Sequence, residues 1–171
     1  LIARDPKNQA RIFPYLGGQN INSSPTQTHE RYVISFGDMS LEDAGQWPML
    51  LKIARERVKP ERDNLPDNPD GRRRKALWWL FGRSTPGLYE AIGPRDRCIA
   101  TAMVTKYLNF SIISSHQILD QKLVVISDDR ITVWGVLQSH VHAIWARVHS
   151  STLEDRLSYS PSDAFGTFPF P

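Results

Sequence analysis

The stretch ITVWGVLQSHVHAIWARVHSS, residues 131–151, carries the strongest structural signal in the chain. Its apolar residues recur at intervals of three and four, which places them along one stripe of an α-helix. The stretch therefore predicts a helix over residues 133–149 with one face buried against a core. The residues predicted to form the buried stripe are Trp134, Leu137, Val141, Ile144, Trp145 and Val148.

Segments upstream of this helix complete a mixed pattern of strands and helices. Pro48 suits the first turn of a second helix, predicted over residues 48–59 and ending before Pro60. Several short segments rich in β-branched and aromatic residues predict strands. These segments are RYVISF (31–36), RCIATAMVT (97–105), NFSIIS (109–114) and KLVVIS (122–127). Together they predict an α+β fold, a single mixed domain in which a β-sheet is flanked by helices.

Length and composition limit the class of protein. A chain of 171 residues with 40% hydrophobic positions suits one domain, spanning residues 1–171. No apolar run approaches the roughly 18 residues of a membrane span, and the first residues lack a signal-peptide pattern. The single cysteine, Cys98, favours a reducing compartment. We therefore expect a cytoplasmic protein without a membrane partner.

Two segments are predicted to lie outside regular structure. Residues 63–73, DNLPDNPDGRR, combine prolines, asparagines, aspartates and a glycine, which predicts a loop. Residues 160–171 end in proline-spaced aromatics and predict the start of a C-terminal linker. The absence of an initiator methionine adds to the expectation that the chain is a fragment of a larger enzyme.

The positive charge of the chain is local. Residues 72–97 hold seven basic and two acidic residues, a net +5, whereas the whole chain carries +3. Arginine and lysine bind phosphate oxygens and release counterions from a nucleic acid, so this run predicts a phosphate-binding surface. A solvated charged loop explains the charge equally well. The candidate residues are Arg72, Arg73, Arg74, Lys75 and Arg83.

Enzymatic and metal-binding patterns are missing from the sequence. It has no phosphate-binding glycine loop, no dinucleotide fingerprint and no nucleophile elbow. His140 and His142 are two residues apart and point away from each other on a helix, so they cannot share an ion. Asp128 and Asp129 are adjacent, which is typical of a turn rather than a cation site. We predict no catalytic residue, no metal and no cofactor in this chain.

The loop that follows the predicted helix, SSTLEDRLSYS, is the candidate for specific recognition. Glu154 and Arg156 are two residues apart and face the same side if the loop is extended. Arginine can donate two hydrogen bonds to guanine O6 and N7, and glutamate can accept one from cytosine N4. The alternative for this pair is an ordinary surface ion pair.

Several segments resemble the target-recognition region of the MmeI-like bacterial enzymes, which join adenine-N6 DNA methyltransferase activity, and often a nuclease, in one polypeptide. The most specific of them is LEDRLSYSPSDAFGTFPFP, residues 153–171; IFPYLGGQNINSSPTQTHERYVISFGD and ISDDRITVWGVLQSHVHAIWARVHSS extend the similarity over nearly the whole chain. The resemblance implies base-contacting roles for Glu154, Arg156 and Ser158, with Lys122 a further candidate from the strand before the helix. Family members often have a basic residue where this chain has Ser158.

The resemblance also implies partners that the chain itself does not contain. It implies double-stranded DNA as the ligand and a methyltransferase domain of the same polypeptide, which would use S-adenosylmethionine. The family's catalytic motif and cofactor motif are absent from these residues, as expected for a region that follows the catalytic domain.

Two other function classes remain open from the residues alone. Trp78, Trp79 and the FPFP tail would form the interface of an inter-domain or protein-docking module if they are exposed. Trp79 or Phe81 would stack on bases if the chain recognises single-stranded RNA.

Overall fold

A computed structural model of the chain describes residues 1–83 and 85–171. The α-helices are α1 (Gly18–Ser23), α2 (Leu41–Ala44), α3 (Pro48–Arg57), α4 (Lys59–Asp63), α5 (Pro69–Ala76), α6 (Pro86–Ile92), α7 (Ile131–Leu137) and α8 (His140–His149). The strands are β1 (Ile12–Leu16), β2 (Arg31–Ile34), β3 (Arg97–Ala102), β4 (Val104–Thr105), β5 (Ser111–Ser114), β6 (Ile118–Leu119), β7 (Leu123–Ile126), β8 (Ser151–Leu153) and β9 (Arg156–Ser158). A 3₁₀-helix spans Pro6–Arg11 and a π-helical turn spans Pro161–Phe165.

The chain divides into two compact units. The first unit comprises Leu1–Phe13 with Tyr32–Pro86, and the second comprises Pro14–Arg31 with Gly87–Pro171. Among the described residues, the first unit has one hydrophobic cluster and the second has two.

The first unit is mainly helical. Ser40 caps α2, because its Oγ accepts the N–H of Asp43 at 3.0 Å, and Pro48 occupies the first turn of α3 as predicted. The indole of Trp47 donates to the carbonyl of Lys7 at 3.0 Å, which anchors the 3₁₀-helix to this unit. The core residues are Phe36, Ala44, Trp47, Leu50, Leu51, Ala54 and Trp78.

The second unit is built around two three-stranded sheets. β3 is the central strand of the first and pairs antiparallel with β5 and with β7. The second has the order β4-β9-β8, also antiparallel. The sheets, β1 and the helices of this unit contribute side chains to two clusters. One is around Leu16, Ile92 and Cys98, and the other is around Ile99, Phe110, Leu137 and Tyr159. The predicted strands and the α+β class are confirmed, while the β-structure is distributed over small sheets rather than one.

The helix predicted over residues 133–149 is wrong in its continuity and in the buried face of its second half, whereas Leu137 is buried as predicted. Ser139 interrupts it and caps α8, accepting the N–H of His142 on its Oγ at 3.2 Å. The interruption turns α8 so that His142 and Ala146 are buried. The predicted stripe residues Val141, Ile144 and Val148 are instead 69%, 52% and 73% exposed.

The predicted loop at residues 63–73 differs from the structure, and the predicted C-terminal linker is ordered. Residues 63–73 are not one loop, because α4 ends at Asp63 and Asn68 caps α5 by accepting the N–H of Gly71 at 2.7 Å. The predicted linker, residues 160–171, begins with the π-helical turn. Further along, the Phe168 ring packs edge-on against His142, with 4.6 Å between ring centroids. Within the described residues, no helix is long and apolar enough to cross a membrane.

Candidate nucleic-acid interface

The loop that the sequence singled out is a β-hairpin. β8 and β9 pair antiparallel with Leu153 opposite Arg156, so only Glu154 and Asp155 form the turn. Glu154 adopts a φ of 56°, in the left-handed region that favours glycine. A residue other than glycine costs about 1–2 kcal/mol there, and such strain is concentrated at functional sites. The glutamate side chain is therefore held at the tip of the hairpin against a local conformational cost.

The two candidate reading residues are in direct contact. Arg156 Nη2 donates to Glu154 Oε2 at 2.5 Å, with side-chain exposures of 44% and 75%. The second turn residue, Asp155, pairs with Lys106 at 3.3 Å. The guanidinium of Arg156 and the carboxylate of Glu154 are thus exposed and bonded to each other, which is the ion pair that the sequence leaves open as the alternative to base reading.

Lys122 reaches the same region from a different element. It lies in the turn before β7 and not in a strand, and its side chain is exposed. Met103, between β3 and β4, joins the two elements: its N–H donates to the carbonyl of Lys122 and its carbonyl accepts the N–H of Tyr159, both at 2.8 Å. The backbone of Met103 thus connects Lys122 and Tyr159, which are distant in sequence.

An open cleft of about 820 Å³ lies beside the hairpin. Arg156 and Lys122 both line it, together with residues of α1 and Arg31. The lining is rich in amide and charged groups, among them Gln19, Asn20, Asn22 and Glu30. The cleft therefore offers several hydrogen-bonding groups to a polar ligand.

Ser158 lies on β9, two residues after Arg156. It pairs with Val104 on one side and with Ser151 on the other, and its side chain is half-buried. Leu157 and Tyr159, which alternate with Arg156 and Ser158, are 3% and 2% exposed. The period of two along a strand thus separates a core face from an outward face that carries the candidate reading residues.

The predicted phosphate-binding residues belong to the first unit. Arg72, Arg73, Arg74 and Lys75 lie on α5, not in a loop, whereas Arg83 follows the helix and is exposed. Two of these arginines already have acidic partners, since Arg72 pairs with Asp67 at 3.0 Å and Arg74 with Asp70 at 3.1 Å. Arg73 donates to the carbonyl of Gly82 at 2.9 Å. The local field of the run is therefore weaker than its count of basic residues indicates.

A buried polar pair lies beneath the hairpin. His142, on α8, is fully buried, and its Nε2 is 3.1 Å from the hydroxyl of Tyr159. Burial lowers the pKa of His142 and raises the pKa of Tyr159, so both side chains are held neutral. This histidine is part of the hydrophobic core. No group of three His, Cys, Asp or Glu side chains in the described part of the chain is arranged to hold a metal ion.

The structure removes most support for the docking and single-stranded RNA alternatives. Trp78 is 7% exposed and belongs to the core of the first unit. Trp79 is half-buried, and its indole donates to the carbonyl of Met39 at 2.9 Å. Phe81 and Phe170, at 41% and 38% exposed, are the accessible aromatics from these segments.

Sequence reasoning missed the residues that surround the predicted ones. These residues are Lys106, Arg31 and the polar side chains of α1. No local pattern marks them, because tertiary packing alone brings them to the hairpin.

The fold and the site define an α+β binding domain whose charged hairpin stands beside a polar cleft. The chain belongs to the family of MmeI target-recognition domains, because the family model described as "MmeI, target recognition domain" matches residues 1–171. This confirms the resemblance stated from the sequence.

A solved structure of the Type IIL restriction-modification enzyme MmeI in complex with DNA has a similar fold. The two superpose with a TM-score of 0.75 at 18% sequence identity, covering 99% of this chain and 22% of that one. The chain thus spans about a fifth of the MmeI chain. A search of curated proteins gave no match.

Proposed function

We propose that this chain reads the sequence of double-stranded DNA for a restriction-modification enzyme. The observation that carries the proposal is the Glu154–Arg156 pair, held at 2.5 Å on the tip of an exposed hairpin in a target-recognition fold. The similar fold of MmeI, which was solved with DNA, supports it. A two-stranded β-ribbon is also narrow enough to enter the major groove.

The pair suits one base pair in particular. The guanidinium of Arg156 has donors for guanine O6 and N7, and the carboxylate of Glu154 has a free oxygen to accept from cytosine N4. Because the two side chains are already bonded to each other, each fixes the orientation of the other. Together they favour a G·C pair in one orientation, since the reversed pair presents a donor to arginine and acceptors to glutamate.

Lys122 and Ser158 complete the proposed reading set. The ammonium of Lys122 donates only, so it favours guanine or the O4 of thymine. Ser158 has a short side chain that either donates or accepts, which gives it little preference of its own. We therefore expect the weakest discrimination at the base pair nearest Ser158.

The basic residues of α5 are assigned to the DNA backbone. Contacts with phosphates position a protein on the duplex without reading its sequence. Among the described residues, Lys75 and Arg83 have no acidic partner, whereas Arg72 and Arg74 are paired with aspartates. Lys75 and Arg83 are therefore better suited to binding phosphates. Arg73 can donate to a phosphate while keeping its bond to Gly82.

The chain is proposed to act within a longer polypeptide in the bacterial cytoplasm. The methyltransferase domain of that polypeptide would bind S-adenosylmethionine and methylate an adenine at N6. This reaction requires the adenine to be turned out of the duplex. The role of the present residues is to hold the target site in register for that domain. Neither the cofactor nor the reaction belongs to them.

The test is a binding titration followed by site selection. The complete polypeptide that contains these 171 residues is titrated with a labelled mixed-sequence duplex at several salt concentrations, and fluorescence anisotropy is read. Single-stranded RNA serves as competitor. The preferred site is then selected from a random duplex library, and dissociation constants are measured for that site and for single-base-pair changes.

The proposal requires three results together. Duplex binding must weaken steeply with salt, resist the RNA competitor and discriminate single base pairs. Binding without discrimination overturns the reading role, and stronger binding to the RNA favours the stacking alternative through Phe81. Absence of duplex binding at low salt overturns the proposal as a whole.

A further inference from the structure

The reading strand β9 depends on an amide from α1. Asn22 Nδ2 donates to the carbonyl of Val104 at 3.2 Å, and Asn22 Oδ1 lies 2.8 Å from the hydroxyl of Thr105. Val104 and Thr105 form β4, which pairs with Ser158 and Leu157 of β9. The side chain of Asn22 therefore fixes the strand against which the reading strand is aligned.

The contact between Asn22 and β4 includes a buried group, the hydroxyl of Thr105. Thr105 is 3% exposed, and its hydroxyl also lies 2.7 Å from the carbonyl of Tyr107. One hydroxyl proton thus lies between two acceptors, at a site that water reaches poorly. Loss of the Asn22 amide would leave the backbone of β4 without its side-chain anchor on this side.

The second reading element is fixed by the strand that precedes α1. The hydroxyl of Tyr15, in β1, donates to Asp120 Oδ2 at 2.6 Å, and Asp120 Oδ1 accepts the N–H of Lys122 at 2.9 Å. The N–H of Asp120 donates to the carbonyl of Leu16 at 2.9 Å. Asp120 is thus bound on three sides, and the turn that presents Lys122 has little freedom to move.

Electrostatics favour the same arrangement of Tyr15. Burial, with a further contribution from the hydrogen bond to Asp120, raises the pKa of Tyr15 to about 12, so its hydroxyl stays a donor. The guanidinium of Arg31 lies 4.3 Å from the centre of the Tyr15 ring. A cation over the ring face helps to hold the ring in place.

We propose that Tyr15 and Asn22 are positioning residues for sequence recognition: Asn22 aligns the strand of Arg156, and Tyr15 aligns the turn of Lys122. Both belong to the continuous segment β1–α1, which is thereby a common support for two reading elements distant in sequence. The inference rests on the proposed function, because it assigns a role within that site. A reading group must be held within about 0.5 Å of its working geometry, so a support of this kind governs discrimination rather than total affinity.

The experiment uses double-mutant cycles in the complete polypeptide. Asn22→Ala is measured alone and together with Arg156→Ala, and Tyr15→Phe alone and together with Lys122→Ala. For each protein, dissociation constants are determined for the selected site, for single-base-pair changes and for a non-specific duplex. Thermal melting is recorded in parallel.

We expect Asn22→Ala to reduce discrimination at the base pair read by Arg156 by about three- to tenfold, the equivalent of one hydrogen bond. Non-specific affinity and its salt dependence should stay unchanged. In the Arg156→Ala background, the same substitution should have little further effect at that base pair, because the group it positions is gone. Tyr15→Phe should behave in the same way toward Lys122.

Asn64→Ala is the matched control. Asn64 also donates its amide to a backbone carbonyl, that of Pro60 at 3.0 Å, but it lies in the first unit. It should leave discrimination unchanged. Asn22→Asp is a second variant for the case in which Asn22→Ala fails to fold, since it keeps the shape of the side chain and removes the donor toward Val104.

The outcomes separate this inference from the proposed function. A wild-type protein that does not discriminate base pairs overturns the proposed function. A wild-type protein that discriminates, with full discrimination retained by Asn22→Ala and Tyr15→Phe, overturns only the positioning roles. Equal loss of affinity for all duplexes, or losses that add independently in the cycles, would also contradict them, because such losses indicate a structural effect.

Discussion

Glu154 offers a test that separates backbone strain from base reading. Its φ of 56° is the conformation that glycine adopts without cost, whereas any other L-residue pays about 1–2 kcal/mol. Glu154→Gly and Glu154→Ala both remove the carboxylate. Only Glu154→Gly relieves the strain, so a comparison of the two variants isolates it.

The stability change can be worked from the contacts. Both variants lose the ion pair with Arg156, which contributes at most about 1 kcal/mol because both side chains are substantially exposed. Glycine gains about 1–2 kcal/mol from strain relief and loses about 0.4–1 kcal/mol through the greater freedom of the unfolded chain. Glu154→Gly should therefore be more stable than Glu154→Ala by about 0.5–1 kcal/mol and within about 1 kcal/mol of the wild type.

Urea denaturation of the three proteins, followed by tryptophan fluorescence, gives the free energies of unfolding. Discrimination is measured as the ratio of dissociation constants for the selected site and for the site changed at the base pair read by the hairpin. Both variants should lose the same amount, about 1–3 kcal/mol, because both lack the acceptor for cytosine N4.

Two results would refute this reasoning. If Glu154→Ala is as stable as Glu154→Gly, the left-handed conformation is not costly and carries no functional meaning. If either variant keeps the discrimination of the wild type, the carboxylate of Glu154 does not read a base.

Three further predictions concern other parts of the chain. Arg156→Ala should lower specificity by about 1–3 kcal/mol at one base pair, and an equal loss of affinity for all sequences would contradict its reading role. Arg73→Ala should weaken binding to all sequences alike and reduce the slope of log affinity against log salt concentration by about 1. Ser139→Ala should destabilise the protein by about 1 kcal/mol through loss of the α8 cap, visible as a lower urea midpoint. Burial holds the pKa of His142 below its ordinary value of 6.5, so the unfolded state binds more protons than the folded state. The stability that the neutral histidine contributes above pH 6.5 is therefore lost as the pH falls below 6.5. The drop in urea midpoint between about pH 7.5 and about pH 5.5 should therefore be larger for the wild type than for His142→Gln, and equal drops would refute the assignment.

Local sequence signals predicted those parts of the structure that local forces determine. The β-branched segments became strands, and Pro48 began a helix, because both preferences act over a few residues. The pairing of Glu154 with Arg156 was predictable for the same reason, since two residues of separation in a hairpin leave few alternatives.

The same local reasoning failed where packing overrides periodicity. Val141, Ile144 and Val148 keep the spacing of a buried stripe, yet the core selects His142 and Ala146 instead. The cap at Ser139 turns α8, and a buried histidine, whose Nε2 contacts the hydroxyl of Tyr159, replaces the expected aliphatic contact. Periodicity reports which face is apolar, and only the tertiary structure decides which face is covered.

The support for the site could not be predicted from sequence at all. Tyr15 and Asp120, and likewise Asn22 and Thr105, meet only because the strands of the second unit bring them together. No spacing rule connects such pairs. A tyrosine in a strand and an asparagine in a short helix are ordinary residues until their partners are known.

The alternation along β9 separates the positions that hold the fold from the positions proposed to read bases. Leu157 and Tyr159 point into the core, while Arg156 and Ser158 point outward from the same strand. Under the proposed function, a change at an outward position would alter the chemistry offered to a base and leave the packed cluster intact. A change at an inward position opens a cavity or leaves a buried polar group without a hydrogen-bond partner. Either effect lowers the stability of the fold whatever the DNA sequence. The supports from β1 and α1 contact the neighbouring elements and not the proposed reading side chains, so the same supports can serve different reading residues.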